Sequence, residues 1–303
     1  MSRAIAVPDT EPALVVPETV TAKTPRRRVR LRDAGPLTYG ILVVALAVSA
    51  FPLYFMLVMA SRPNDQITTV PPPLSPGDKL VDNVQRVFAN PDVLFSQAMV
   101  NTLIVAGVCS AAVVLCSSLA GFAFAKLRFR GRNALLLTVI ATMMVPVQLG
   151  FIPLYMLMTK LNLVGQLPAV ILPFVVSGFG VFMMRQYAGQ AVPDELIEAA
   201  RIDGASTIRI FWSVVLPALR PAAAVLGLFT FMERWNDFLW PYLVLSPEHP
   251  TVQVALSRLS NGYYADQALV IAGTLVGTLP LAVVFVVFGR QIIGGIMEAG
   301  IKA

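Results

Sequence analysis

Charge is the scarcest property of this chain. Only 13% of its 303 residues are Asp, Glu, Lys or Arg, against 56% hydrophobic residues. That balance, with a mean hydropathy of +0.72, excludes an ordinary soluble domain. Histidine occurs once, at His249 between Glu248 and Pro250, so no metal site or nucleophile–base pair can be assembled around it. Cysteine occurs twice, at Cys109 and Cys116. They lie seven residues apart in one apolar run and so on one helix face, which reads as two small hydrophobes, not a disulfide or a metal site. A phosphate-cradling GxxxxGK[ST] loop is missing throughout. Any step driven by ATP therefore needs a second polypeptide, and no catalytic residues, metal or cofactor are expected.

What the chain has instead is long apolar runs. Six are of membrane-crossing length: about 37–60, 97–125, 134–158, 167–184, 222–245 and 268–289. The first carries Pro52, the third Pro146 and Pro153, the fourth Pro173, and the last Pro280. Prolines are tolerated in such helices where neighbouring protein re-satisfies the freed carbonyls. The net charge of +6 would suit nucleic acid, but the basic residues stand in short clusters beside the apolar runs, which is the positive-inside pattern. With six spans and both ends inside, 17 of the 23 lysines and arginines fall on the inner side. Arg62, Lys79, Arg86, Lys160 and Arg258 fall outside, and Arg234 lies within the membrane. Inverting the protein would reverse that bias.

The domain plan follows. Residues 1–35 read as a disordered cytoplasmic tail ending in Arg26, Arg27, Arg28, Arg30 and Arg32. Residues 36–96 hold the first span and a proline-rich outer loop. Residues 97–290 form a five-helix core, and 291–303 a cytoplasmic tail. Within the fifth span, Glu233, Arg234 and Asp237 interrupt the sequence ERWNDFLWP. Charges at membrane depth are costly and mark function by default. These three, with Gln148, Tyr155 and Asn236, are the candidates for a solute pathway or gate. Trp235, Trp240 and Tyr242 fit an outer aromatic belt. Asn261-Gly262-Tyr263-Tyr264 in the second outer loop suits sugar stacking, protein docking or a lid.

One polar stretch dominates the second half: residues 190–217, QAVPDELIEAARIDGASTIRIFWSVVLP. Pro193 suits a first helical turn, and Asp194 and Glu195 complement the positive end of its dipole. Asp203-Gly204 breaks that helix, because glycine accepts backbone angles that other residues resist. Ser206 can cap a second short helix, whose apolar side is Ile208, Ile210, Phe211 and Val214. A plain connecting loop needs no such helix–glycine–helix construction.

Glu198-Ala199-Ala200, followed by Asp203-Gly204, Ile208, Leu216 and Pro217, resembles the EAA loop of bacterial ABC importer permeases. WNDFLWP and the C-terminal EAGIKA are similar to segments of the maltose-type, MalG-like second permease, although the tail ends in Ala where the family pattern has Gly. Asn83 and Phe88 with Asn101-Thr102 match the pattern that precedes the second span in carbohydrate-type members. The resemblance runs from about residue 38 to the end. It implies an all-α integral membrane protein with six transmembrane helices, the type I ABC importer permease fold and a cytoplasmic coupling helix, in a bacterial inner membrane. It further implies sugar import with four kinds of partner: a second permease as heterodimer, a pair of ATPase subunits, an extracytoplasmic sugar-binding protein, and membrane lipid. Glu198, Ala199, Ala200, Gly204 and their neighbours would then meet the ATPase, and Glu298, Gly300 and Lys302 in the tail would contact it too. The alternatives are an ABC permease for a phosphate ester, peptide or amino acid, and an ion-coupled secondary transporter. The latter usually buries ionisable groups in several spans, whereas only the fifth has them here.

Overall fold

A computed structural model describes residues 35–260 and 266–301, with side chains through residue 289. The basic N-terminal tail, the Asn261–Tyr264 motif and Lys302 lie outside the described residues, and Glu298 and Gly300 are described in backbone only. The described residues divide into a unit up to Ala50 and a second unit, Phe51–Ala303.

The described chain is helical: α1 (Pro36–Ala60), α2 (Asn64–Ile67), α3 (Leu80–Ala89), α4 (Phe95–Lys126), α5 (Arg132–Thr142), α6 (Phe151–Lys160), α7 (Pro168–Ile171), α8 (Gly178–Ala191), α9 (Asp194–Ile202), α10 (Thr207–Ile210), α11 (Leu216–Trp235), α12 (Leu239–Val244), α13 (Val252–Ser260) and α14 (Gln267–Ile301). Up to residue 50, α1 exposes its leucines and valines on all sides, Leu37 at 77% and Leu46 at 69% among them. That is how a helix surrounded by lipid looks.

Four segments are straight enough and apolar enough to cross a membrane alone: α1, α4, the helix running from Thr207 to Trp235, and α14. The third and fourth expected spans are both broken. α5 and α6 diverge by 92° across Met143–Pro146, and the α7 segment meets α8 at 42° across Val175–Ser177. Pro146 and Pro173 lack the N–H that would carry the helix through. The six-span reading holds only if each bent pair counts as one span.

The second unit is organised around α4, α8 and α11. Gly121 lets α8 lie directly on α4: a Cβ there would sit 2.7 Å from the Met184 backbone carbon and 2.8 Å from the Arg185 nitrogen. One apolar cluster occupies the end near α9 (Phe122, Met184, Ile197, Ile210, Phe211, Val215). Another fills the opposite end (Val87, Phe95, Trp235, Val252, Leu269). A third lies beneath the bent pairs (Cys109, Met158, Val170, Trp240, Val244). Cys109 is thus the buried small hydrophobe expected of it.

The loop after α1, expected outside the membrane, is more ordered than its prolines suggest. It contains α2 and α3, and the Asn83 amide donates to the carbonyls of Ala60 and Arg62, both at 2.9 Å. The Asn101 amide donates to the Pro250 carbonyl at 2.9 Å, and the Thr102 hydroxyl accepts from the Val252 N–H at 2.8 Å. These three polar residues tie the α1–α4 and α12–α13 connections to the bundle. Trp235 and Trp240 depart from the aromatic-belt expectation. They are 2% and 0% exposed, and their indole N–H groups donate to the carbonyls of Gly277 at 3.0 Å and Ala169 at 3.1 Å. A buried indole needs such a partner; the Ala169 carbonyl is free because Pro173, four residues on, has no N–H to give it, whereas the Gly277 carbonyl belongs to the continuous α14. Tyr242 stays 56% exposed.

Candidate coupling surface and charged break

The polar stretch 190–217 forms the expected helix–glycine–helix pair, with Pro193 just before the first turn and not within it. Pro193 is the flanking residue of α9 at φ −60° and ψ 142°, and Asp194 and Glu195 occupy the first turn. At the far end the Gly204 N–H donates to Arg201 O (3.0 Å) and the Ala205 N–H to Ala200 O (2.9 Å), the paired bonds of a Schellman turn. That turn needs a left-handed residue, and Gly204 sits at φ +77°. The Ser206 hydroxyl then accepts from the Arg209 N–H at 3.3 Å and caps α10. A wide helical turn over Phe211–Val215 carries the chain into α11, just ahead of Pro217, which has no N–H to donate.

The faces of this helix pair are unequal. Ile197 is 4% exposed and Ile210 1%, with Ala200, Ala205 and Leu216 packed beside them. On the opposite side Leu196 is 53%, Ile202 87% and Ile208 72% exposed, with Ala199 also open. Leu196, Ala199 and Ile202 recur every three residues and share one stripe. Ala199 and Ala200, expected to act together, therefore point apart: Ala199 belongs to the outward stripe and Ala200 to the inner packing. Ile208, expected on the apolar side of α10, faces outward instead. Asp203 and Gly204 form the exposed corner, and Pro217 is half-buried in the first turn of α11.

Glu198 leaves that stripe as well. It lines a cleft of about 760 Å³ between α9 and the α4–α5 connection, together with Lys126, Arg128, Arg132, Asp194 and Arg201. Lys126 Nζ meets Asp194 Oδ1 at 2.7 Å. That hydrogen bond, with the charges of Lys126 and Arg128, holds the Asp194 carboxyl below its ordinary range.

The charges of ERWNDFLWP do not form one continuous helix. α11 ends at Trp235, Asn236 and Asp237 turn, and α12 resumes at Leu239. The Arg234 side chain is 9% exposed; its guanidinium is paired with Glu233 and lies 3.1 Å from Asp237. It also stands over the Phe174 ring at 4.2 Å from the centroid. Arg234 thereby joins the end of α11 to the break before α8. Glu233 and Arg234 line a cavity of about 340 Å³ with Thr142, Phe174, Ser177, Phe179 and Thr230.

The other pathway candidates are not part of that cavity's lining. Gln148 is exposed on the turn before α6, and Tyr155 is 41% exposed along α6. The Asn236 amide donates to Met232 O at 2.8 Å and caps its own helix. Thr142, Ser177 and Thr230 escaped the sequence reading. Only the nearby prolines could have drawn attention to the breaks that gather them. Among the described residues no cluster of His, Cys, Asp or Glu could hold a metal ion.

The chain as a whole is similar to known transport proteins. A family model described as binding-protein-dependent transport system inner membrane component matches residues 113–292. The arabinooligosaccharides transport system permease protein AraQ of Halalkalibacterium halodurans is 32% identical over 281 residues, covering 89% of this chain and 99% of that one. The lactose transport system permease protein LacG of Rhizobium radiobacter is 34% identical over 271 residues, covering 89% and 97%. The sn-glycerol-3-phosphate transport system permease protein UgpE of Yersinia enterocolitica is 30% identical over 266 residues, covering 86% and 94%. Among solved structures, a bacterial ABC transporter involved in the import of the acidic polysaccharide alginate matches with a TM-score of 0.73 at 23% identity. It covers 84% of this chain and 94% of that one, and the likeness is one of fold. The chain belongs to the inner-membrane components of binding-protein-dependent transport systems.

Proposed function

We propose that this chain is one of two different permease subunits of an ATP-driven carbohydrate importer, with both termini in the cytoplasm and α9–α10 as its coupling element. The observation that carries the reading is the outward stripe of Leu196, Ala199, Ile202 and Ile208. A soluble face that leaves two isoleucines this open has no reason to persist unless a partner covers it. ATP hydrolysis belongs to a separate subunit, and the stripe is where that subunit docks. Closure of the ATPase pair would push α9 as a rigid lever, since its Schellman turn and buried Ile197 fix it to the inner ends of α4, α8 and α11. The spans then rock, and a loaded binding protein discharges sugar into the pathway. Glu233 and Arg234 at the broken spans are pathway or gate residues in this scheme. Glu198 acts from the basic cleft at the edge of the docking stripe, and the C-terminal Glu298, Gly300 and Lys302 provide a further ATPase contact.

Carbohydrate is preferred because AraQ and LacG are named for sugar transport. The similarity to UgpE supports a second reading, import of a phosphate ester. Uptake of radiolabelled di- and oligosaccharides and of glycerol 3-phosphate by cells carrying the complete importer decides between them. Gly204→Val tests the lever: it forces a β-branched residue to φ +77° and should abolish uptake while the complex still assembles. Full uptake by that variant would refute the coupling assignment.

A further inference from the structure

The cleft beside α9 has a composition that coupling does not explain. Its lining carries four cations, Lys126, Arg128, Arg132 and Arg201, against the two carboxylates Asp194 and Glu198. Of the four, only Lys126 stands in an ion pair among the described residues. Its side chain is 8% exposed and is held by Asp194 at the wall of the cleft. Arg132 spends one N–H on the Leu127 carbonyl at 3.3 Å and keeps the rest of its fork. The Asp194 carboxyl is lowered chiefly by its hydrogen bond to Lys126 and that residue's charge, with a smaller contribution from Arg128.

Topological anchoring alone would scatter arginines over the convex surface of the connection, as it does Arg130, which does not line the cleft. Here the guanidiniums converge on one concavity from three places: the α4–α5 connection, the first turn of α5 and the last turn of α9. Planar, multiply donating guanidiniums around one space match a tetrahedral oxyanion better than any neutral solute. We infer that this cleft binds a phosphate group, free or esterified, whose oxygens tie the α4–α5 connection to α9. The group has two sources: the headgroup of an anionic phospholipid in the adjoining leaflet, or a soluble phosphate.

The test uses the assembled importer, full-length and with its co-purified partners, in discs of phosphatidylcholine with and without phosphatidylglycerol. Lipid retained by the complex is counted by native mass spectrometry. Thermal unfolding is followed in neutral discs as inorganic phosphate or glycerol 3-phosphate is added at constant ionic strength. Selective retention of phosphatidylglycerol, weakened about tenfold or more in Arg128→Gln/Arg132→Gln and unchanged in Arg130→Gln, supports the site with lipid as ligand. A saturable rise in unfolding temperature with soluble phosphate, lost in the same double variant, supports it with the free anion as ligand. The inference is overturned if neither anion distinguishes wild type from the double variant. It is equally overturned if Arg130→Gln loses as much, which would mean general charge attraction. Neither readout involves transport or ATP hydrolysis, so a failure of the coupling or carbohydrate reading would not be mistaken for a failure of this one.

Discussion

Ile202→Ala is the perturbation that isolates the docking stripe. The Ile202 side chain is 87% exposed and makes little contribution to the permease's own packing. Alanine is a better helix former than isoleucine, so the fold should not suffer. Truncation removes three carbons worth about 0.8 kcal/mol each on burial. If the ATPase covers the side chain, about 2 kcal/mol of association energy disappears, a weakening of roughly 30-fold in Kd. Leu196→Ala, at a position 53% exposed, should lose less, on the order of tenfold by the same area argument. Ile197→Ala is the internal contrast, because that side chain is 4% exposed and faces inward. It should destabilise the permease by about 2–5 kcal/mol and lower its unfolding temperature, with little direct effect on docking. Capture of the purified ATPase by permease-bearing discs, measured by interferometry, gives the affinities. Unchanged capture by Ile202→Ala, or a loss confined to Ile197→Ala, would refute the assignment of faces.

Other outcomes follow from the packing. Gly121→Val should lower the unfolding temperature through overpacking of about 1–3 kcal/mol, because its neighbours at 2.7 Å and 2.8 Å are backbone atoms of α8; differential scanning fluorimetry reads it. Arg234→Gln leaves Asp237, 17% exposed, without its cation and should cost about 3 kcal/mol, with little added by the exposed Glu233. Arg234→Lys should recover only part of this, since it lacks the planar group over Phe174; unfolding of all three proteins in lipid compares them. The lowered carboxyl of Asp194 means that its pairing with Lys126 contributes fully above the ordinary carboxylate range near about pH 4, and is lost only as pH falls through the lower folded value. ATPase coupling should therefore not vary with the state of Asp194 across neutral pH. A transition there that vanished in Asp194→Asn would contradict the placement.

Much of the site could be read in the sequence, because its signals are local. Gly204 at φ +77° and the Ser206 cap follow from backbone chemistry within a few residues. The orientation of Ala199 and Ala200 does not, since helical spacing shows which residues share a face but not which face meets the core. The exposed Ile202 and Ile208 break the expected apolar-inside pattern, because the face of each short helix that meets the core is set by tertiary packing. Pro146 and Pro173 marked helix interruptions, yet a 92° bend and a 42° bend depend on what packs into the gap. Trp235 and Trp240 illustrate the same limit. Beside charged residues they resemble interface anchors, but carbonyls contributed by α14 at Gly277 and by α7 at Ala169 make burial favourable.

Coupling through α9–α10 to a separate ATPase requires that the outward face of α9 meet that subunit. Cysteine placed at Ile202, in a chain whose Cys109 and Cys116 are replaced by alanine, tests it most directly by cross-linking to the co-expressed ATPase in membranes. A cross-link from position 202 that changes with trapped ATP is expected, and none from an equivalent cysteine at the buried Ile197. A cross-link from neither position, in a complex that still transports, would contradict it.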